Sequence, residues 1–227
     1  MKKKSLSRSS FLKKSFLAVT GLPFVLQTPG CGQATGGCQA TSGDKNLPPC
    51  GDCGPTDPAT AGPFYVSNTV QATNINYLNM PGTPMRISGT VLGGPDGKLP
   101  LPNARVEIWH CDDKGLYHPQ ASGDITNYMA EEVNLRGLGV RNQQGQYAFD
   151  SIVPGVYPGR RRHLHFRIVA NGHRSLITQS YWLDEKGSAR EKQDRTDRNT
   201  EECRYIDFKA DAKGVMAGVF DIVLEKA

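Results

Sequence analysis

Short apolar runs alternate with turn signals at regular spacing from about Thr60 onward. Apolar and polar positions within these runs alternate with the period of two that is typical of a strand with one buried face. Candidate strands cover residues 85–92, 104–110, 146–153, 163–169, 175–183 and 219–225, whereas 118–142 and the charged segment 184–204 show no such period. Because no long amphipathic helix is indicated, the pattern predicts an all-β fold, an antiparallel β-sandwich with long loops.

The run at 163–169 contains the first candidate functional residues. Leu164, Phe166 and Ile168 occupy alternate positions, with His163 and His165 between them. Successive side chains on a strand point to opposite faces, so the apolar residues would face a core and both imidazoles would share the other face. Two neutral imidazoles on one rigid face form half of a site for iron, copper or zinc.

Two tyrosines near turn signals would complete such a site. Tyr117 follows the turn 112–115, and Tyr157 precedes Pro158 within a Gly- and Pro-rich turn that would bring its phenol back toward the histidines. Phenolate is a hard anionic donor that favours a trivalent ion, so two phenols and two imidazoles would suit Fe(III). A single tyrosine is more often a packing residue, so the prediction depends on the combination.

The first 30 residues read as an export signal, because six bases and no acid accompany the apolar stretch 16–26. An amphipathic surface helix is the alternative. Residues 7–13 resemble the bacterial twin-arginine signal with Ser9 in place of the second arginine, so twin-arginine and general secretion both remain open. We expect an export signal at 1–30, a Cys-, Gly- and Pro-rich tether at 31–59 and a folded domain at 60–227, located in the periplasm or at the cell surface or outside a bacterium.

The net charge of +5 comes from this leader, since the rest of the chain has 21 basic against 22 acidic residues. We therefore expect no nucleic-acid partner.

Six cysteines fit disulfides in an oxidising compartment. Cys50 and Cys53 have zinc-knuckle or redox spacing, but no second pair lies at zinc-ribbon distance. Pairing of Cys111 with Cys203 is left open. Cys31 follows a poor lipobox, so a membrane anchor through a lipid on Cys31 is also left open.

Several segments between residue 60 and the end occur in an order that is highly specific. They are TAGPFY at 60–65, NARVEIW at 103–109 with GLY at 115–117, LRG at 135–137 with GQYAF at 145–149, PGVY at 154–157 with RRRHLHF at 160–166, and TQSY at 178–181. Together they resemble the intradiol ring-cleavage dioxygenases, the non-haem Fe(III) family that includes protocatechuate 3,4-dioxygenase and catechol 1,2-dioxygenase. The resemblance implies that 60–227 is a catalytic domain.

The resemblance also implies an iron ligand set. Tyr157 and His165 would be the axial ligands, and Tyr117 and His163 the equatorial ligands beside a hydroxide. Five residues separate Tyr157 from His163, fewer than in the best-known catechol members, and this connection is expected to shape the pocket.

The implied reaction is cleavage of a catechol-type diol by O2 to a muconate-type dicarboxylic acid, as in the catabolism of aromatic compounds. Tyr157 would leave the iron and act as a base, Arg160 would lie near the substrate ring, and Gln179 would line the pocket. Arg161 and Arg162 would either bind a substrate carboxylate or face water.

Two other functions are weighed against this one. The first is an exported β-sandwich binding module for aromatics or glycans with a non-catalytic metal site. The second is a secreted hydrolase, which the absence of a G-x-S-x-G motif disfavours. The identity of the catechol and the presence of a homo-oligomer remain open.

Overall fold

The computed structural model describes residues 53–139, 142–198 and 200–227. The predicted export signal and Cys31, Cys38 and Cys50 lie outside the described residues. The described strands are short, and they are β1 (Val66–Ser67), β2 (Pro84–Gly93), β3 (Leu99–Pro100), β4 (Arg105–Trp109), β5 (Gly123–Asp124), β6 (Arg136–Leu138), β7 (Gln146–Ile152), β8 (His163–Val169), β9 (Leu176–Trp182), β10 (Tyr205–Ile206), β11 (Lys209–Ala210), β12 (Met216–Val219) and β13 (Ile222–Val223).

One sheet has the order β10-β9-β8-β4-β6, with β8 in the centre. Strand β8 is antiparallel to both of its neighbours, β4 and β9. The register places His165 opposite Trp109 on one side and opposite Gln179 on the other, and it places His163 opposite Tyr181. These side chains therefore lie together on one face of the sheet.

The second sheet is built around β2, which pairs with β7 in antiparallel fashion along 84–90. Strands β12 and β13 run parallel to β2, because the last segment of the chain returns beside it in the same direction. Short strands β3 and β11 extend this sheet, and β1 pairs separately with β5. The predicted β-sandwich is confirmed, with these parallel pairs added to an otherwise mainly antiparallel arrangement.

The two sheets enclose the main hydrophobic core. Leu164, Phe166 and Ile168 on β8 are completely buried there, as the alternation predicted. Phe220 and Ile222 enter the same core from the second sheet. Burying an apolar side chain of this size contributes about 1.5–3 kcal/mol, so this core anchors the central strand that carries the histidines.

The two segments that lack periodicity contain short elements. Segment 118–142 includes β5, β6 and the 3₁₀ turns Ile125–Asn127 and Ala130–Glu132. Segment 184–204 includes a five-residue helix, α1 (Ala189–Gln193), at whose start Ser188 Oγ accepts a hydrogen bond from Glu191 N. Further 3₁₀ turns cover Gly62–Phe64, Leu183–Glu185 and Glu202–Arg204.

Within the part of the chain that the structure describes, none of the helices has the length and apolar character needed to cross a membrane.

A disulfide joins Cys53 to Cys203, with 6.3 Å between the Cα atoms. Cys111 is a buried free thiol, so the pairing of Cys111 with Cys203 is wrong. Residues 53–59, the described part of the predicted tether, lie against the domain. Their backbone donates from Thr56 N to Val223 O at 2.9 Å and from Ala59 N to Ile177 O at 2.8 Å.

Candidate metal centre

His163 and His165 lie on the face of β8 that points away from the main core, and each is only 2% exposed. Trp109, directly opposite on β4, stacks on His165 with ring centroids 4.9 Å apart and planes within 8°. The two imidazole centroids are 4.8 Å apart. The alternation seen in the sequence thus places both rings side by side in a buried layer over the sheet.

Tyr117 meets both imidazoles at a single point. Its phenol oxygen lies 3.1 Å from His163 Nε2 and 3.1 Å from His165 Nε2. His163 Nδ1 lies 2.8 Å from the Arg161 carbonyl oxygen. A carbonyl only accepts, so Nδ1 carries the proton of the neutral ring and Nε2 presents its lone pair to the phenol.

The turn before Tyr117 fixes the position of this phenol. Asp112 Oδ1 accepts from Lys114 N and from Leu116 N, both at 2.9 Å. Gly115 has φ +85°, and a Cβ at this position would lie 2.4 Å from the Val156 carbonyl oxygen. Only glycine allows the turn to pack this closely on the segment that carries Tyr157.

Tyr157 lies beside Tyr117, with ring centroids 5.8 Å apart in an edge contact. Phe64 packs on both phenols: it stacks on Tyr117 at 4.5 Å and meets Tyr157 edge-on at 5.6 Å. Tyr157 is half-buried, whereas Tyr117 is buried. The structure therefore brings all four predicted ligands into one region, with Tyr157 at its more open side.

Burial dominates the electrostatics of the centre. It lowers the pKa of His163 to about 3, and the positive charge of Arg160 acts in the same direction. The pKa of His165 also falls well below its usual range, first through burial and then through His163 and Arg160. Burial raises the pKa of the Tyr117 phenol far above its usual value. Both imidazoles are therefore neutral, and only a cation in place of the proton would make Tyr117 anionic.

The donor set fits a metal ion. One phenol proton can serve only one of the two Nε2 atoms that face it, and His165 Nδ1 is buried without a hydrogen bond of good geometry. A cation bound by both nitrogens and the phenolate would satisfy the atoms that converge here. No group of three or more His, Cys, Asp or Glu suited to a metal occurs among the described residues, so a site at β8 needs phenol donors.

Arg160 and Gln179 lie next to each other at the edge of this centre. Arg160 Nη2 donates to Gln179 Oε1 at 2.6 Å, and Gln179 Nε2 donates to the Thr60 carbonyl at 2.7 Å. Gln179 is directly opposite His165. The two residues predicted beside the substrate are thus joined to each other and to the segment that carries Phe64.

Other histidines and arginines have structural contacts. His110 is buried between the Cys111 carbonyl and Ser151 Oγ, and His118 Nε2 is 2.9 Å from Asp112 Oδ2. Arg161 is 1% exposed and lies 3.6 Å above the Tyr181 ring, so it does not face water.

Several supporting residues had no role in the sequence prediction. Phe64 and Trp109 fall inside segments that resemble the family. Their aromatic character was the feature of the sequence that could have indicated packing on the ligands. Asp194, which accepts a hydrogen bond from Arg160 Nε at 2.9 Å, falls in the charged segment without periodicity, and nothing in the local sequence distinguishes it from the acids around it.

A family model described as Dioxygenase matches residues 60–226. The chain is 30% identical to catechol 1,2-dioxygenase of Candida albicans over 147 residues, which cover 56% of this chain and 46% of that protein. It is also 30% identical to hydroxyquinol 1,2-dioxygenase of Nocardioides simplex over 146 residues, 56% of this chain and 47% of that protein. The chain thus spans about half the length of these relatives.

Solved structures show the same fold. A dioxygenase domain from Streptomyces sp. SirexAA-E, part of a fusion with a carbohydrate-binding protein, matches with a TM-score of 0.61 and 28% identity, over 76% of this chain and 99% of that one. Catechol 1,2-dioxygenase from Acinetobacter sp. ADP1 matches with a TM-score of 0.61 and 26% identity, over 75% of this chain and 63% of that one. With the family model covering nearly all of the described residues, the chain belongs to the intradiol ring-cleavage dioxygenase family.

Proposed function

We propose that this protein uses Fe(III) and O2 to cleave a catechol-type aromatic diol between its two hydroxyl-bearing carbons, giving a muconate-type dicarboxylic acid. The observation that carries the proposal is the meeting of the Tyr117 oxygen with Nε2 of His163 and His165, 3.1 Å from each. Tyr157, beside Tyr117, would supply the fourth protein donor.

Bound Fe(III) would draw electron density from a catecholate and so open its ring to attack by O2. The protein residues prepare this chemistry. Tyr157 is the half-buried phenol, and in leaving the metal it would take a proton from a substrate hydroxyl. Tyr117, wedged between the imidazoles and Phe64, would stay in place.

Arg160 supplies fixed positive charge at the edge of the centre. Its guanidinium is bound to Asp194 and Gln179, and its charge acts on Tyr117 and on His163. A charge held in place in a site with little water stabilises negative charge that develops on a substrate ring. Trp109 and Phe64 cover the ligands and limit the access of water.

We favour uncharged catechols as substrates. Two relatives are named as catechol and hydroxyquinol 1,2-dioxygenases, and both substrates lack a carboxylate. Arg161, a candidate for binding a carboxylate, is buried and paired with Glu191 and Asp194. Its charge is already neutralised within the protein.

Oxygen uptake by the iron-loaded protein tests the proposal. We expect a burgundy-red protein that consumes oxygen with a panel of catechols and forms a product with the absorption of a muconate. We expect kcat/KM for catechol or hydroxyquinol to exceed that for protocatechuate at least tenfold. Leaving a buried carboxylate without a partner costs about 1–3 kcal/mol or more, and about 1.4 kcal/mol corresponds to a factor of ten in rate. A colourless protein that takes up no oxygen after refolding with iron would reject the dioxygenase function, and one that binds iron and catechol without using oxygen would support the binding module instead.

Export to an oxidising compartment belongs to the same proposal, and the Cys53–Cys203 disulfide supports it. Cell fractionation of the native host, followed with an antibody, measures the location. Recovery with the reduced cytosolic proteins would contradict it.

A further inference from the structure

A buried carboxylate lies behind Arg160. Asp194 directly follows α1 in the segment 184–204, and its side chain is completely buried. Arg160 Nε donates to Asp194 Oδ1 at 2.9 Å and lies 3.0 Å from Oδ2. Thr196 N also donates to Oδ1, at 3.0 Å. Arg161 Nε lies 3.5 Å from Oδ2. The carboxylate is thus fixed by its own segment as well as by two arginines.

The other end of the same guanidinium is tied to the metal centre. Arg160 Nη2 donates to Gln179 Oε1, and Gln179 is opposite His165 across the β8–β9 pair. Asp194 and Gln179 therefore bind two different nitrogens of one planar group, which restricts both its position and its tilt.

The backbone around Arg160 does not fix this orientation. Arg160 follows Pro158 and Gly159 in a turn, and a Cβ at Gly159 would have no neighbour within 4 Å. An arginine on such a turn has many rotamers. Of the described residues, Asp194 is the carboxylate within ion-pair distance of Arg160. Burying an unpaired carboxylate costs several kcal/mol, so the burial of Asp194 and its pairing with Arg160 depend on each other.

We propose that Asp194 is a positioning residue for ring cleavage: it holds the Arg160 guanidinium at the edge of the metal centre, where the charge meets the substrate. This inference rests on the proposed function. Asp194 touches neither the substrate nor the four candidate ligands, and it acts through Arg160.

Asp194→Asn and Arg160→Met, singly and together, test the proposal in the iron-loaded full chain. We expect D194N to lower kcat/KM for catechol about 10- to 100-fold, mainly through kcat, because a misplaced charge costs this much in a positioned site. We expect the tyrosinate-to-iron absorption to stay unchanged, since the ligands stay in place. The double variant should be no slower than R160M alone, because the guanidinium that Asp194 positions is then absent. The pair of Asp194 with Arg161 remains in R160M, and its loss should lower the melting temperature only.

Glu191→Gln is the matched control. Glu191 lies in the same segment and pairs with Arg161 and Tyr205 instead of Arg160. Its kcat/KM should stay within about threefold of the wild type even if its melting temperature falls, because Glu191 pairs with Arg161 and makes no contact with Arg160.

Three results would overturn the inference: D194N turning over like the wild type, D194N losing the iron absorption, or D194N lowering kcat/KM equally with and without Arg160. If D194N does not fold, D194E is compared in both backgrounds, and a loss confined to the background with Arg160 supports the inference while an equal loss overturns it. Failure of the proposed function is distinct, because the wild type itself would then consume no oxygen. In that case the affinity for catechol in oxygen-free buffer, followed by absorption, serves as the measure in the same variants.

Discussion

Single side chains around β8 owe their protonation states to burial. His163 and His110 have pKa values lowered to about 3 and about 4, in each case mainly because burial disfavours the charged ring. The same burial raises the pKa of Tyr117. Near neutral pH these imidazoles and the Tyr117 phenol are therefore uncharged, and a bound metal cation would bring positive charge to this region.

His110 predicts a dependence of stability on pH. Its pKa is about 4 in the folded protein against 6.5 as the ordinary value, so between these values the unfolded chain binds a proton that the folded chain does not. Stability therefore falls as the pH drops from 6.5 toward 4. We expect the wild type to lose about 2 kcal/mol more than His110→Gln between pH 7 and pH 5, measured by urea unfolding. Equal losses in both proteins would show that His110 does not carry this effect.

Tyr157→Phe tests the role of the more open phenol. We expect kcat to fall at least about 100-fold, because both a ligand and a base are removed, and the visible absorption to shift. Tyr128→Phe is the control, since Tyr128 donates to the Ser122 carbonyl at an exposed site. Turnover and colour unchanged in Y157F would remove Tyr157 from the ligand set.

The candidate ligands come from one strand and from two turns. Strand β8 carries two imidazoles on a face fixed by the core beneath it, whereas Tyr117 and Tyr157 come from two turns that hold each other. Gly155 adds to this contact, because a Cβ there would lie 2.2 Å from the Asp113 carbonyl oxygen. The distance between the two phenols is therefore set by backbone packing.

Gly115→Ala should increase the distance between these two turns. The new methyl group would collide with the Val156 carbonyl, and we expect a loss of about 1–3 kcal/mol beyond the cost of the left-handed backbone, with reduced iron content. Gly214→Ala is the matched control, because Gly214 has φ +78° and open space around its Cβ position. Iron content and unfolding by urea measure both effects, and equal behaviour of G115A and G214A would argue against the packing role of Gly115.

Alternation of side chains was enough to predict the core strands and the buried face of β8, because each has one apolar side. The short strands β1, β5 and β10 were not predicted, because a strand of two residues is too short to show alternation. The partners of Arg160 and Arg161 could not be predicted either. The acidic residues in 184–204 share no sequence pattern that distinguishes one from another, and only the folded structure shows that Asp194 is the one in contact with Arg160. Alternation also placed His163 and His165 on one face, and turn signals added Tyr117 and Tyr157, whereas their roles as iron ligands came from motif resemblance.

Across the whole molecule, the Cys53–Cys203 disulfide links two segments that both reach the centre. Residues after Cys53 lead to Thr60, whose carbonyl binds Gln179, and residues before Cys203 include Asp194. The bond spans 150 residues, so it strongly restricts the unfolded chain.

Removing this bond should weaken the whole domain. We expect the double variant Cys53→Ser and Cys203→Ser to lose roughly 2–5 kcal/mol of stability, measured by urea unfolding. The wild type treated with a reductant should lose the same amount, and the variant should not respond to the reductant. A response of the variant would point to another cysteine.

Strand β2 pairs in parallel with strands from the far end of the chain: Met85 is opposite Met216 and Val91 is opposite Ile222. This edge of β2 has no partner until more than 120 residues later in the sequence have been made. Pairings of such long range slow folding, so we expect a domain that folds slowly, with an open β edge that other chains can join until the last strands pair.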